Sequence, residues 1–189
     1  MAILPIAIYP RDEKILRERC KPVTKLTDRT SRLIEDMIET MYDAAGVGLA
    51  APQVHVSQRI FVYDIGDGKP DALINPEITL SEGDEIGPEA CLSIPRLHGD
   101  VPRFTRIVVT GLNRKGRRVR IDAVDYLARV FQHEIDHLNG ILFTDRAIQS
   151  SLYEITEEEE EERRAEGRKK RRGRGEAGGG IHPVEDEPI

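Results

Sequence analysis

Apolar residues recur with two different periods along this chain. From Thr30 to Ala45, the residues Leu33, Ile34, Met37, Ile38, Met41 and Tyr42 fall at three- and four-residue spacings, which predicts a helix with one apolar face. Shorter apolar runs predict strands near Arg59–Asp64, Ala72–Leu80, Arg106–Leu112 and Arg117–Ile121. The last two flank Asn113-Arg114-Lys115-Gly116, a hairpin signal. A second helical stretch lies between Ile121 and Phe143, with Asp122 as N-cap and Asn139-Gly140 as the stop. Its residues Tyr126, Val130, His133 and His137 form one stripe, and Leu127, Phe131, Glu134 and Leu138 run beside it. Arg129, Gln132 and Asp136 fall toward the other side. Helices and antiparallel strands segregate along the chain, which predicts an α+β fold. Its expected form is small antiparallel or mixed sheets packed around a C-terminal helix bearing an HExxH motif, with an additional N-terminal helix.

That motif is His133-Glu134-Ile135-Asp136-His137. Two histidines four residues apart share one helix face, about one turn apart, so both imidazoles can reach one ion. Glu134 adjoins the first histidine, where a carboxylate can hold and deprotonate a water. His133, Glu134 and His137 fall on the apolar side, and buried ionisable groups need partners that a metal would supply. A helix with two satisfied histidines and a paired glutamate has the same pattern. A catalytic metal needs a third protein ligand and an open position. No histidine occurs from Leu138 to Gln149, so that ligand comes from elsewhere: Cys91, Cys20, His55, His98, His182 or a carboxylate.

Of the two cysteines, Cys91 is the better placed, in Glu89-Ala90-Cys91-Leu92-Ser93 ahead of a short apolar run. Cys20 sits in a charged segment entering a turn and reads as a small, half-buried thiol. Two cysteines without a signal segment do not form a disulfide framework. Gly46-Val47-Gly48-Leu49-Ala50-Ala51-Pro52-Gln53 allows close backbone approach by a ligand. It lacks the preceding strand and third glycine of a dinucleotide-binding turn.

Taken in order, these three segments resemble the three motifs of the peptide deformylase family, over roughly residues 1–150. Ala90 departs from the pattern, standing where the family usually has glycine. The resemblance implies one divalent metal held by Cys91, His133 and His137, iron(II) in the cell, with zinc, nickel or cobalt also suited to this ligand set. It implies removal of the N-formyl group from the initiator methionine of nascent polypeptides, by metal-bound hydroxide, with Glu134 as general base and then acid. Gln53, through its amide, and Leu92, through its backbone N–H, would stabilise the oxyanion. The substrate would lie extended against Gly48 and the segment before Cys91, with Val47 and Val130 walling the methionine pocket. Glu89 and Arg103 would form a buried ion pair, with Asp136 an equal candidate partner for the arginine. The competing reading is a zinc endopeptidase of the HExxH type.

The 189 residues suffice for one catalytic domain, 1–150, followed by a charged extension, 151–189. From Glu154 onward there are 12 acidic and 8 basic residues, −4 of the chain's net −6, so the body is nearly neutral. A solvated helix is expected over Ser151–Arg172, supported by Glu159–Arg163 and Glu160–Arg164 pairs, with disorder beyond Gly173. Two readings of this tail stand side by side: a solubilising extension without a partner, or a contact for ribosomal RNA through Lys169, Lys170, Arg171 and Arg172. No apolar run approaches the ~18 residues of a membrane span, and the N-terminus is a poor signal peptide. Bacterial cytoplasm is the expected location.

Overall fold

The computed structural model describes residues 2–174; the side chains of 168 and 170–174 lie outside the description. The expected disorder beyond Gly173 falls, apart from Arg174, outside the described residues. The fold is α+β. After a short helix α1 (Glu13–Leu16), helix α2 spans Asp28–Asp43. It starts two residues earlier than its apolar period suggested, because Thr27 and Thr30 close a capping box. Strands β1 (Gly48–Ala50), β2 (Ile60–Tyr63), β3 (Asp71–Glu82), β6 (Arg106–Leu112) and β7 (Arg118–Val124) form one antiparallel sheet in the order β1-β2-β3-β6-β7. Between β3 and β6, strands β4 (Glu85–Cys91) and β5 (Ile94–Arg103) begin a second sheet, completed by β8 (Tyr153–Glu154) in the order β4-β5-β8.

Strand β2 is apolar at every position because both faces of its sheet are covered. Phe61 packs with Leu73, Ile107, Val109, Leu127, Phe131 and Leu138 on the side of helix α3 (Asp125–Leu138). Ile60 and Val62 pack with Ile34, Met37, Met41 and Leu49 on the side of α2. The motif helix is therefore pinned against a sheet, and its functional residues inherit that rigidity.

Helix α3 begins at Asp125, not near Asp122. The β6–β7 ladder runs on to Arg106↔Val124, and Asp122 is spent in β7 on Arg106 at 2.7 and 2.9 Å. The helix also lacks the solvated face the sequence suggested. Arg129, Gln132 and Asp136 are buried, whereas Tyr126 is 53% exposed. The buried polar side chains find backbone and ionic partners on the second sheet: Arg129 donates to Val101 O at 2.9 Å, and Gln132 bonds both backbone polar groups of Phe104. After the motif helix come the short α4 (Phe143–Arg146) and, within the expected helical extension, α5 (Glu157–Arg174).

The stretch around Cys91, for which the apolar pattern predicted no strand, is the β4–β5 hairpin. Cys91 stands at its tip, where the register shifts after Ala90↔His98. Pro88 is tolerated because β4 is an edge strand. Ala90 is exposed and its φ is negative, so its methyl group neither strains nor crowds the Cys91 turn. Among the described residues, no helix is long and apolar enough to cross a membrane.

Candidate active site

Residues from three elements converge on one cavity of about 300 Å³. Val47, Gly48 and Gln53 line it from β1 and the short helical turn after it. Glu89, Cys91 and Leu92 line it from the β4–β5 hairpin, and Val130, His133 and Glu134 from α3. Of the sequence-derived site residues only His137 is absent from the lining; it lies beneath, 1% exposed, with Nε2 3.2 Å from Cys91 Sγ. The edge strands of the two sheets, β1 and β4, flank this cavity.

The potential ligand atoms of Cys91, His133 and His137 lie within 4.8 Å of one another, a group that could hold a metal ion. Burial pushes the Cys91 thiol up, but His137 and His133 beside it outweigh burial and bring it down to about 5. A thiolate is the form that ligates metal. His133 Nδ1 is 2.9 Å from Glu89 Oε2, which reserves Nε2 for the cluster, the usual carboxylate–histidine orientation behind a metal ligand. The donor set, the orienting carboxylate and the depressed thiol together fit a resident transition-metal ion.

Glu134 is 4% exposed, and its Oε2 has no hydrogen-bond partner among the described residues. Burial raises its pKa to about 7 despite the opposing pull of His133 and His137. The carboxylate packs onto Gly48, where an added Cβ would overlap it. Gly48→Ala should therefore displace Glu134 and lower turnover by about tenfold or more, since small misplacements of catalytic groups cost up to two decades. Unchanged kcat with unchanged fold would show that Glu134 tolerates a shifted carboxylate.

Gln53 is oriented by its own amide. Its Oε1 accepts from Ala50 N at 2.8 Å, which turns Nε2 toward Ser93 Oγ at 3.2 Å and Cys91 Sγ at 3.6 Å. The amide donor thus borders the ligand cluster.

Behind the cluster lies a buried ionic network. Arg103 grips Glu89 with two bonds, 2.8 and 3.0 Å, and Asp136 with a third at 2.6 Å, so both acids proposed for it are its partners. Arg129 adds a bond to Glu89 at 3.1 Å, and Arg146 two to Asp136 at 2.6 and 2.7 Å. Burial alone would raise the Glu89 pKa, but hydrogen bonds from His133 and Arg103 bring it to about 2. Sequence reasoning missed Arg129, which it placed outward, and Arg146. Nothing local marks Arg129, since its partners Glu85, Gly87, Glu89 and Val101 all come from the second sheet. Arg96 and Glu160, which the sequence did not single out, also line the cavity.

A family model described as polypeptide deformylase matches residues 3–152. The peptide deformylase of Halothermothrix orenii is 56% identical over 138 residues, covering 72% of this chain and 90% of that protein. The crystal structure of peptide deformylase from Thermotoga maritima superposes with a TM-score of 0.75 at 47% identity, covering 78% of this chain and 99% of that one. The Synechococcus elongatus peptide deformylase, solved in complex with actinonin, gives 0.74 at 39% identity, covering 78% and 82%.

Proposed function

The chain belongs to the polypeptide deformylase family, and on that premise we propose that it removes the N-formyl group from the N-terminal methionine of newly synthesised polypeptides. The observation that carries the reading is Glu134: a buried carboxyl with an unpartnered oxygen, in one cavity with Cys91, His133 and Gln53, with His137 beneath to complete the ligand cluster. We assign Cys91, His133 and His137 as the ligands of one divalent ion. The soft and borderline donors suit iron(II), cobalt, nickel or zinc, and iron(II) is the ion assigned in the cell. Such an ion supplies Lewis acidity, acidifying a water and polarising a carbonyl oxygen.

Each residue then has one task. Glu134 takes up the proton of the attacking water and later delivers it to the amine as the formyl C–N bond breaks, giving formate and a free N-terminus. A pKa near 7 makes both its forms accessible at neutral pH. Gln53 Nε2 and the Leu92 backbone N–H donate to the oxyanion. Gln53→Ala should lower kcat by about 100- to 1000-fold, the worth of one such donor, with metal content unchanged; a loss below tenfold would remove Gln53 from this role. The peptide lies extended between the edges β1 and β4, alongside Gly48, and its methionine side chain enters between Val47 and Val130.

The endopeptidase reading is not favoured: the relatives are deformylases and the thiol beside the two histidines is a cysteine ligand candidate. A direct test compares formyl- and acetyl-Met-Ala-Ser with iron-loaded protein prepared without oxygen. The formyl peptide alone should turn over; equal rates for both would defeat the assignment.

On the same reading residues 1–150 are the catalytic domain and 151–189 an extension, and the enzyme works in the bacterial cytoplasm. Lys169, Lys170, Arg171 and Arg172 would meet ribosomal RNA. Charge reversal at Lys169 and Lys170 should weaken ribosome binding and flatten its salt dependence by about one unit of slope per lysine; an unchanged slope would exclude this contact.

A further inference from the structure

Helix α5 lies beyond the stretch matched by the family model, yet it borders the catalytic cavity. Its start differs from the expected Ser151. Thr156 and Glu159 close a capping box, with Thr156 N donating to Glu159 Oε2 at 2.8 Å and Glu159 N to Thr156 Oγ1 at 3.2 Å. Glu159 is thereby committed to the cap, and Arg163 reaches instead to His98 of β5, 3.5 Å from its Nδ1. Just before the helix, β8 pairs with β5, and Ile155 N donates to Arg96 O at 2.9 Å. Further along, Gly167 lies against the turn after α2; a Cβ there would stand 3.4 Å from the Ala45 Cβ. Arg96 and Ala45 are themselves cavity-lining residues. The helix therefore bridges the two flanks of the cleft, β5 on one side and the turn into β1 on the other.

From this bridge Glu160 enters the lining of the cavity. Its side chain is 21% exposed and is held by Arg164, whose Nε and Nη2 both contact Oε1 at 3.0 Å. At the start of the helix the six glutamates Glu157–Glu162 outnumber Arg163 and Arg164 beside them, so the stretch around Glu160 is net negative. Of the arginines in the lining, Arg96 is exposed and hence more strongly screened than the half-buried Glu160, and Arg129 is paired with Glu89.

We propose that α5 is the outer wall of the substrate cleft, and that Glu160 is a specificity-determining residue favouring a basic side chain just after the formylmethionine. The inference rests on the deformylase reading and adds a substrate preference to it. The attraction acts between Glu160 and a substrate ammonium or guanidinium group, while an acidic side chain there meets repulsion.

The test is kcat/KM on matched peptides, formyl-Met-Lys-Ala against formyl-Met-Glu-Ala and formyl-Met-Ala-Lys against formyl-Met-Ala-Glu, using the full-length, metal-loaded protein. Wild type should prefer lysine at one of the two positions by about 3- to 10-fold, the size of a partly screened ion pair. Glu160→Gln should bring that ratio close to one, and Glu160→Lys should invert it. Glu158→Gln makes the same charge change on the exposed part of the same helix and should keep the preference. A ratio unchanged in Glu160→Gln, or reduced equally by Glu158→Gln, overturns the proposal. Formate release from both members of each pair with no difference in wild type overturns the preference alone, whereas no formate from any peptide overturns the deformylase reading beneath it.

Discussion

Glu134→Ala should lower kcat by about 100- to 10,000-fold, the span of general acid–base contributions, while the metal content stays at the wild-type level. The reason lies in the geometry: Glu134 sits beside the cluster of Cys91, His133 and His137 and is not one of its three members. Stability gives an independent reading. The carboxyl is buried with an unpartnered oxygen, so its removal relieves a desolvation cost. Glu134→Gln, which keeps the shape, tests this without opening a cavity. The Glu134 pKa rises from 4.5 unfolded to about 7 folded. A raised pKa means that this group's contribution is fully present below about pH 4.5 and is lost as pH climbs through 7. The glutamine variant should therefore lose less stability than wild type over that interval, measured by denaturant unfolding of the metal-free protein. Metal-free preparations of the alanine variant under saturating metal would instead make Glu134 a structural residue.

Glu89→Ala should destabilise the fold by about 3–5 kcal/mol, because it strips a buried ion cluster of its central acid and leaves Arg103 with Asp136 alone and Arg129 with only the exposed Glu85. It also removes the acceptor of His133 Nδ1, so metal affinity should fall by about 10- to 100-fold. Here the pH sign is opposite to that of Glu134. The Glu89 pKa is depressed to about 2, so its stabilisation is complete above about pH 4.5 and disappears as pH falls toward 2. Glu89→Gln should flatten the acid limb of the stability profile. Denaturant unfolding across pH and metal titration measure both effects. A loss under 1 kcal/mol with wild-type affinity would mean that Arg103 and Asp136 hold the site without Glu89.

The motif helix was legible because its chemistry obeys a local rule: histidines at i and i+4 share a face in any straight helix. Helix α2 and the β6–β7 hairpin were legible for the same reason, one from its apolar period and the other from the Asn113–Gly116 turn. What failed were features fixed by distant partners. Arg129, Gln132 and Asp136 look like a solvated face until β4 and β5 arrive to bond them. The β4–β5 hairpin itself was hidden by Gly87, Pro88, Pro95, Gly99 and Pro102, residues that break a strand pattern: the first two lie on the edge strand β4, and the two prolines of β5 lie outside the Leu97–His98 stretch that pairs with β8. The roles of Gln53 and Leu92 came from the resemblance alone, since nothing local distinguishes an amide near a glycine-rich bend. The docking of α5 was invisible because its composition is that of a solvated helix, and only Gly167 stands where it approaches the body, against Ala45.

Formate release from formyl-Met-Ala-Ser by the metal-loaded protein tests the central claim most directly. The expected result is one formate for each free methionyl amine, with Met-Ala-Ser otherwise intact and no turnover after chelation. A metal-loaded protein that leaves the peptide formylated, or that cleaves the Met–Ala or Ala–Ser bond, would contradict it.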